Sequence, residues 1–325
     1  MHCKHNVQKR LRKPLMVTKS KAQRDALRRL NSFLDKNNPQ LVKFLLRTWK
    51  DQSDAITYKE LRESILAGTM TEKQFTDWQS DYVNFFNTVL KGRLLEATAE
   101  GGKGLAAALL SDADIYKPME IGIDNWITVH GAEWITNMSD EAKEAVSAMI
   151  RYTAKGNMTV DELARVIRPT IGLTTPQSLA NAKYYETVKA SVKEKLMENN
   201  PKMKEATADK QAAKRARESA ARYAGRQHRE RAMMIAETEL AYAYNKGADD
   251  AVQQAIDGGL LPRMKAVWST AADEGVCGIC SSLDGVAVDF GDSFDYNGKS
   301  LYAGQKRTPP AHPRCRCALC YEEAE

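Results

Sequence analysis

Cys277-Gly278-Ile279-Cys280, running on to Leu283-Asp284-Gly285, and Pro309-Pro310-Ala311-His312-Pro313-Arg314-Cys315-Arg316-Cys317 decide how this chain is read. Cys320 follows three residues later, so five of the six cysteines lie in the last fifty residues. Two short knuckles of soft ligands separated by a loop are what a tetrahedral zinc site needs, each knuckle supplying two ligands from one tight turn. Prolines on both sides of His312 keep that approach out of helix and sheet. Cys277, Cys280, Cys315 and Cys317 fill a four-ligand shell, with His312 either beside it or in place of one cysteine. Reduced structural thiols and disulfides are the alternatives, and the spacing favours a zinc ion (Zn2+). A filled shell leaves no open position for water, so such a site is structural. Cys320 is a spare donor, and Cys3 stands apart.

Outward from the knuckles, the period of the sequence changes. Lys265 to Thr270 and Val286 to Phe290 read as short strands after the Asp257-Gly258-Gly259 break. Two or three such strands with the cysteines predict a small α+β cap, in which a metal cross-link substitutes for missing apolar burial. Everything before it reads as helix. The chain of 325 residues is 43% hydrophobic, 28% charged and only 7% aromatic, a composition of helical proteins with much solvated surface. The expected fold class is therefore mainly α: a helical N-terminal bundle and long helices, with a small cysteine-rich C-terminal domain.

Helix signals punctuate the first two hundred residues. Ser20 opens an amphipathic helix that is expected to end at Asn37-Asn38-Pro39, with Pro39 starting another. Thr57 with Glu60 and Thr71 with Gln74 make capping boxes, and Gly68 sits where a helix end wants positive φ. Glu100-Gly101-Gly102-Lys103-Gly104 lacks the Lys-Ser/Thr ending and the preceding strand of a phosphate loop, and reads as a linker. Residues 118–134 are ambiguous in period. His130 and Glu133 lack the second histidine of a zinc-protease motif and read as surface or packing residues. Ser139, Thr159 with Glu162, and Thr175-Pro176 each mark a helix start. A long helix is expected from about Lys204 through Asn245, its first half charged and projecting into solvent or against a partner, its second half docked on a core.

Net charge is +6, and its placement is uneven. Residues 1–29 carry ten Lys or Arg against Asp25 alone, and residues 202–231 carry ten against four acids. Residues 1–19 read as a basic arm, and both blocks suit phosphates or an acidic partner. Arg10, Arg12, Lys13, Arg314 and Arg316 are the candidate nucleic-acid contacts. No apolar run approaches a membrane span, and the N-terminus lacks the apolar core of a secretory signal, so a reducing cytoplasm is expected. Glu237, Thr238, Glu239 and Asn245 fall at helical spacing and are expected to form a structural polar cluster against the cap.

The segment from Arg231 to Cys317 resembles phage head morphogenesis proteins of the Mu F-like minor-head type. The pieces stand in the family's order. They are Arg231 to Glu239, Tyr244-Asn245-Lys246-Gly247-Ala248, Trp268-Ser269-Thr270 with Asp273, Cys277 to Gly285, and Pro309 to Cys317. Glu237 stands where that helix commonly has arginine. The chain is expected to divide into three segments, a basic arm and helical bundle over 1–100, a helical middle region over 101–200, and, as the resemblance implies, a Mu F-like head morphogenesis domain with the knuckles over 201–325. It also implies a non-enzymatic minor capsid protein whose partners are the portal, a major capsid or scaffolding protein and phage DNA, with no membrane. Its expected place is the virion interior near the portal, and the host cytoplasm during assembly. A zinc-ribbon nucleic-acid binder without a capsid role is the alternative. A zinc deaminase is excluded, since H-x-E is required and Pro313-Arg314 follows the histidine.

Overall fold

The structure, a computed structural model, describes residues 19–112, 116–117, 120–153, 158–271, 276–296 and 306–324. Helix α1 (Lys21–Ala55) begins at a reciprocal cap, Ser20 accepting from the Gln23 amide while the Gln23 side chain accepts from the Ser20 amide. Contrary to the expected break, it runs straight through Pro39. A mid-helix proline costs about 3 kcal/mol. Against that, Leu30 and Leu34 before it and Leu41, Leu45 and Trp49 after it are all buried in one core. Each is worth about 1.5–3 kcal/mol, so continuity wins.

Helices α2 (Tyr58–Ala67) and α3 (Glu72–Phe85) start at the expected capping boxes, and Gly68 closes α2 at φ 75°. A wide π turn at Phe86–Leu90 carries α3 into α4 (Lys91–Leu110). The glycines read as a linker lie inside α4, and their reason is tertiary. A Cβ on Gly101 would stand 2.0 Å from the carbonyl oxygen of Tyr244, and one on Gly247 would stand 1.9 Å from that of Thr98. Tyr244 and Gly247 belong to α8 (Glu205–Asp257), so these two glycines mark where the backbones of α4 and α8 touch.

The ambiguous stretch and the helix expected from Ser139 are one helix, α5 (Glu120–Thr153). Ser139 does not cap; its hydroxyl donates to the Ile135 carbonyl at 2.7 Å, the back-bonding that lets serine sit mid-helix. α6 (Val160–Ile167) starts at the Thr159–Glu162 box, and α7 (Thr175–Asn199) at a Thr174–Gln177 box. α8 continues past Asn245 and Gly247 to Asp257, because Ala248, Ala251, Val252 and Ala255 keep burying its inner face. Its charged first half packs on α7 through Ala208, Ala212, Ala216, Ala220 and Ala224, four apart. The Asn181 amide donates to the Ala220 carbonyl at 3.0 Å across that seam.

Beyond α8 the cap folds as β1 (Met264–Ser269), α9 (Gly278–Leu283), β2 (Ala287–Asp289) and β3 (Ala318–Glu323). The sheet order is β2-β1-β3, antiparallel throughout, with Val267 opposite both Ala287 and Cys320 and Trp268 opposite Leu319. Alternation sends Met264, Ala266 and Trp268 into a second apolar cluster with Leu283, Phe294, Leu319 and Tyr321. Ala248, Ala251 and Val252 of α8 join it, so the long helix links body and cap.

His228, on α8, is held neutral inside the body. Its Nε2 donates to the Pro169 carbonyl at 3.1 Å, and its ring lies 5.4 Å from that of Trp49. Burial, against the Pro169 bond and aided by the Arg231 charge, pushes its pKa down from 6.5 to about 4. The unfolded chain therefore takes up this proton well before the folded one. The stability is fully present above pH 6.5 and declines as pH falls toward 4, by about 2 kcal/mol at pH 5. Urea unfolding between pH 6.5 and 5 should show that slope, and His228→Gln should flatten it.

Candidate metal centre

The two knuckles meet. Cys277 is the N-cap of α9, and its Sγ accepts from the Cys280 amide at 3.3 Å. That turn places both sulfurs on one side of the short helix. The second knuckle folds back through the Cys315 amide, which donates to the His312 carbonyl at 3.1 Å. Arg314 supports the reversal with φ 63°, and its amide donates to the Thr238 hydroxyl of α8 at 3.0 Å.

The result is a cluster of five donors in two overlapping groups, Cys277–Cys280–His312 and Cys280–Cys315–Cys317, all ligand atoms within each group lying within 4.8 Å of one another. Cys280 is common to both. The Cys280 and Cys315 sulfurs are 3.7 Å apart. Two thiolates on a tetrahedral ion at about 2.3 Å from the metal are about 3.8 Å apart, so this edge has the right length. His312 Nε2 lies 3.0 Å from the Cys277 sulfur and 3.1 Å from that of Cys280, and its Nδ1 donates to the Pro313 carbonyl at 2.8 Å. That second bond fixes the tautomer, leaving the Nε2 lone pair toward the sulfurs, as metal-bound histidines require.

Hydrogen bonds from Cys280 and then Cys317 hold the Cys315 thiol well below its ordinary pKa, and the Cys315 contact raises Cys280. Cys280, Cys315 and Cys317 are buried while Cys277 and His312 are partly exposed, so the cluster has a closed inner side and an accessible rim. This Cys-rich cluster can hold a metal ion. Cys320 lies apart from it, in β3, its sulfur 4.0 Å from the Tyr321 carbonyl oxygen.

The polar residues of α8 divide between two neighbours. Glu237 receives Arg316 at 2.6 Å, Thr238 receives the Arg314 amide, and the Asn245 amide donates to the Cys317 carbonyl at 3.1 Å. These three clasp the second knuckle. Glu239 faces the other way, 2.6 Å from His130 of α5. That pair is buried, with Trp126 stacked on the imidazole at 5.2 Å. Burial opposes charge on His130, but the Glu239 carboxylate outweighs it and raises the pKa. The stability this adds is full below pH 6.5 and fades as pH rises through the folded value, a window above that of His228. His130 had no signal in the sequence beyond its type, since its partner lies 109 positions away.

Both outward arginines of the knuckle are engaged by carboxylates, Arg314 with Glu230 at 2.9 Å and Arg316 also with Asp35 of α1 at 3.2 Å. Arg10, Arg12 and Lys13 lie outside the described residues. Among the described residues no helix is long and apolar enough to cross a membrane.

Comparison with known proteins bears on the region that holds the centre. A protein-family model described as Phage Mu protein F like protein matches residues 169–320. The match takes in α7, α8 and the sheet as well as both knuckles, beginning well before the motifs that carried the resemblance. No curated protein and no solved structure matches the chain. Residues 169–320, from the turn before α7 to the third strand, are thus similar to the phage Mu protein F like family.

Proposed function

We propose that this chain is a minor structural protein of a tailed-phage or prophage head, built into the procapsid in few copies beside the portal and touching packaged DNA. The observation that carries the reading is the family match over residues 169–320. The physical design agrees with it. A helical body offers long adhesive faces to a portal and to a major capsid or scaffolding protein, and the cap is arranged for resistance to unfolding rather than for chemistry.

The ion the cluster suits best is zinc. Four of Cys277, Cys280, His312, Cys315 and Cys317 would meet its preference for sulfur and nitrogen in a tetrahedron, a filled shell with no position left for water. Bound there, the ion supplies no reaction step. Cys277 and Cys280 before and in α9 and His312, Cys315 and Cys317 before β3 would hold it, and that cross-link would lessen the apolar core the small sheet needs.

Tagged protein recovered from cells assembling particles should bring the portal protein with it, in few copies per particle. Absence from the portal and from every assembly intermediate would overturn the head-protein role. Recovery with DNA alone would favour the nucleic-acid binder without a capsid role.

A further inference from the structure

Helices α7 and α8 pair as a two-helix arm, and the sides of α8 are unequal. The seam with α7 uses alanine every fourth residue, from Ala208 to Ala224. Two residues along a helix is a turn of about 200°, so a row offset by two lies on the opposite side. That row reads Lys210, Lys214, Glu218, Arg222 and Arg226, and every member is exposed. It extends for about 24 Å at 1.5 Å per residue. Arg215 and Arg229, also exposed, flank it.

The charges of the arm are sorted. Its acids near the hairpin turn pair toward α7, Glu205 with Lys193 at 2.7 Å and Asp209 with Lys189 at 3.3 Å. Among the described residues, Lys210, Lys214, Arg215, Arg222, Arg226 and Arg229 form no ion pair with a carboxylate, unlike Arg314 and Arg316. Glu218 is the single acid in the row. Arg226 lies over the Tyr223 ring at 5.4 Å and remains exposed.

A protein partner normally needs a buried apolar or aromatic anchor at the centre of its footprint. From Lys210 to Arg226 the outward row has none, its exposed neighbours being residues such as Gln211 and Ala221, and the exposed Met233 of α8 lies about two turns beyond its end. A phosphate backbone needs only regularly spaced cations and tolerates a convex surface. We propose that the outward row of α8, carried by Lys210, Lys214, Arg222 and Arg226, docks on the backbone of duplex DNA without reading its sequence. This deepens the DNA contact of the head-protein reading and places it on the arm. DNA rather than RNA rests on that reading.

The test is fluorescence anisotropy of the full-length protein with a labelled duplex of arbitrary sequence, about 30 base pairs long, over salt from about 50 to 200 mM. Wild type should bind, with log affinity falling against log salt at a slope of about −3 to −4 for four phosphates. The Lys210→Gln/Lys214→Gln/Arg222→Gln/Arg226→Gln variant should lose at least about tenfold at the lowest salt and most of that slope. Exchanging lysine and arginine at the same four positions should keep both. All four side chains are exposed, so circular dichroism and melting should match wild type. Wild type failing to bind at about 50 mM salt, or the glutamine variant binding with unchanged affinity and slope, would overturn the proposal. Binding to an acidic polypeptide but not to the duplex would do so too. Each of these can happen while portal association stands, so the two readings fail separately.

Discussion

Gly247→Ala lowers the stability of the full-length chain by about 1–3 kcal/mol or more, although alanine is the better helix former. Gly247 lies well inside α8, and propensity alone assigns the substitution a gain of about 1 kcal/mol. Sterics decide otherwise. The new Cβ would stand 1.9 Å from the Thr98 carbonyl oxygen and 2.6 Å from its carbon. These are backbone atoms of α4, so no side chain can swing aside, and the two helices must separate. Gly225 of the same helix gives the internal control. Nothing lies within 4 Å of a Cβ built there. Gly225→Ala should therefore raise stability by about 0.5–1 kcal/mol. Urea unfolding of the three proteins side by side tests the pair. Two substitutions shifting the midpoint in the same direction would mean that α4 and α8 do not touch at this crossing.

Cys280→Ser should remove the metal ion and release the cap. Cys280 is the donor common to both groups, so its loss removes the sulfur that ties Cys315 and Cys317 to Cys277 and His312. Small structural zinc sites contribute about 10–16 kcal/mol of apparent binding energy, far more than the cap's short strands can replace. The readout is limited proteolysis of the full chain, with cleavage expected beyond Asp257 while the helical body survives. Cys320→Ser is the contrast. That thiol is buried in β3 outside the cluster, and its exchange for a hydroxyl should cost about 1 kcal/mol with the metal retained. Equal protease resistance in wild type and Cys280→Ser would remove the metal from the account of the cap's stability.

Local chemistry was the legible part of this sequence. Thr57–Glu60, Thr71–Gln74 and Thr159–Glu162 each start a helix where their own hydrogen bonds say so, and Gly68 ends one. The strands of the cap and the meeting of the two cysteine knuckles follow from period and spacing in the same way. The errors share one cause. Gly101, Pro39 and Ser139 are residues whose local meaning is a break, and in each the partner that reverses that meaning lies elsewhere or in the burial on both sides. Gly101 is needed for the approach of Tyr244, far along the chain. Pro39 is overridden by leucines whose burial depends on the whole bundle. The charged half of α8 reads as projecting into solvent or against a partner because the residues that pack it on α7 are alanines, which carry little hydropathy signal yet allow close packing. Glu239 shows the limit at the site, since helical spacing grouped it with Glu237 and Thr238 while its partner is on α5.

The most direct test of the central claim, that one ion clamps the two knuckles, is the metal content of full-length protein purified without chelator. Elemental analysis should find one zinc per chain, lost together with the cap's protease resistance when a strong chelator is added. Protein that carries no metal, and whose cap resists protease equally with and without chelator, would contradict it.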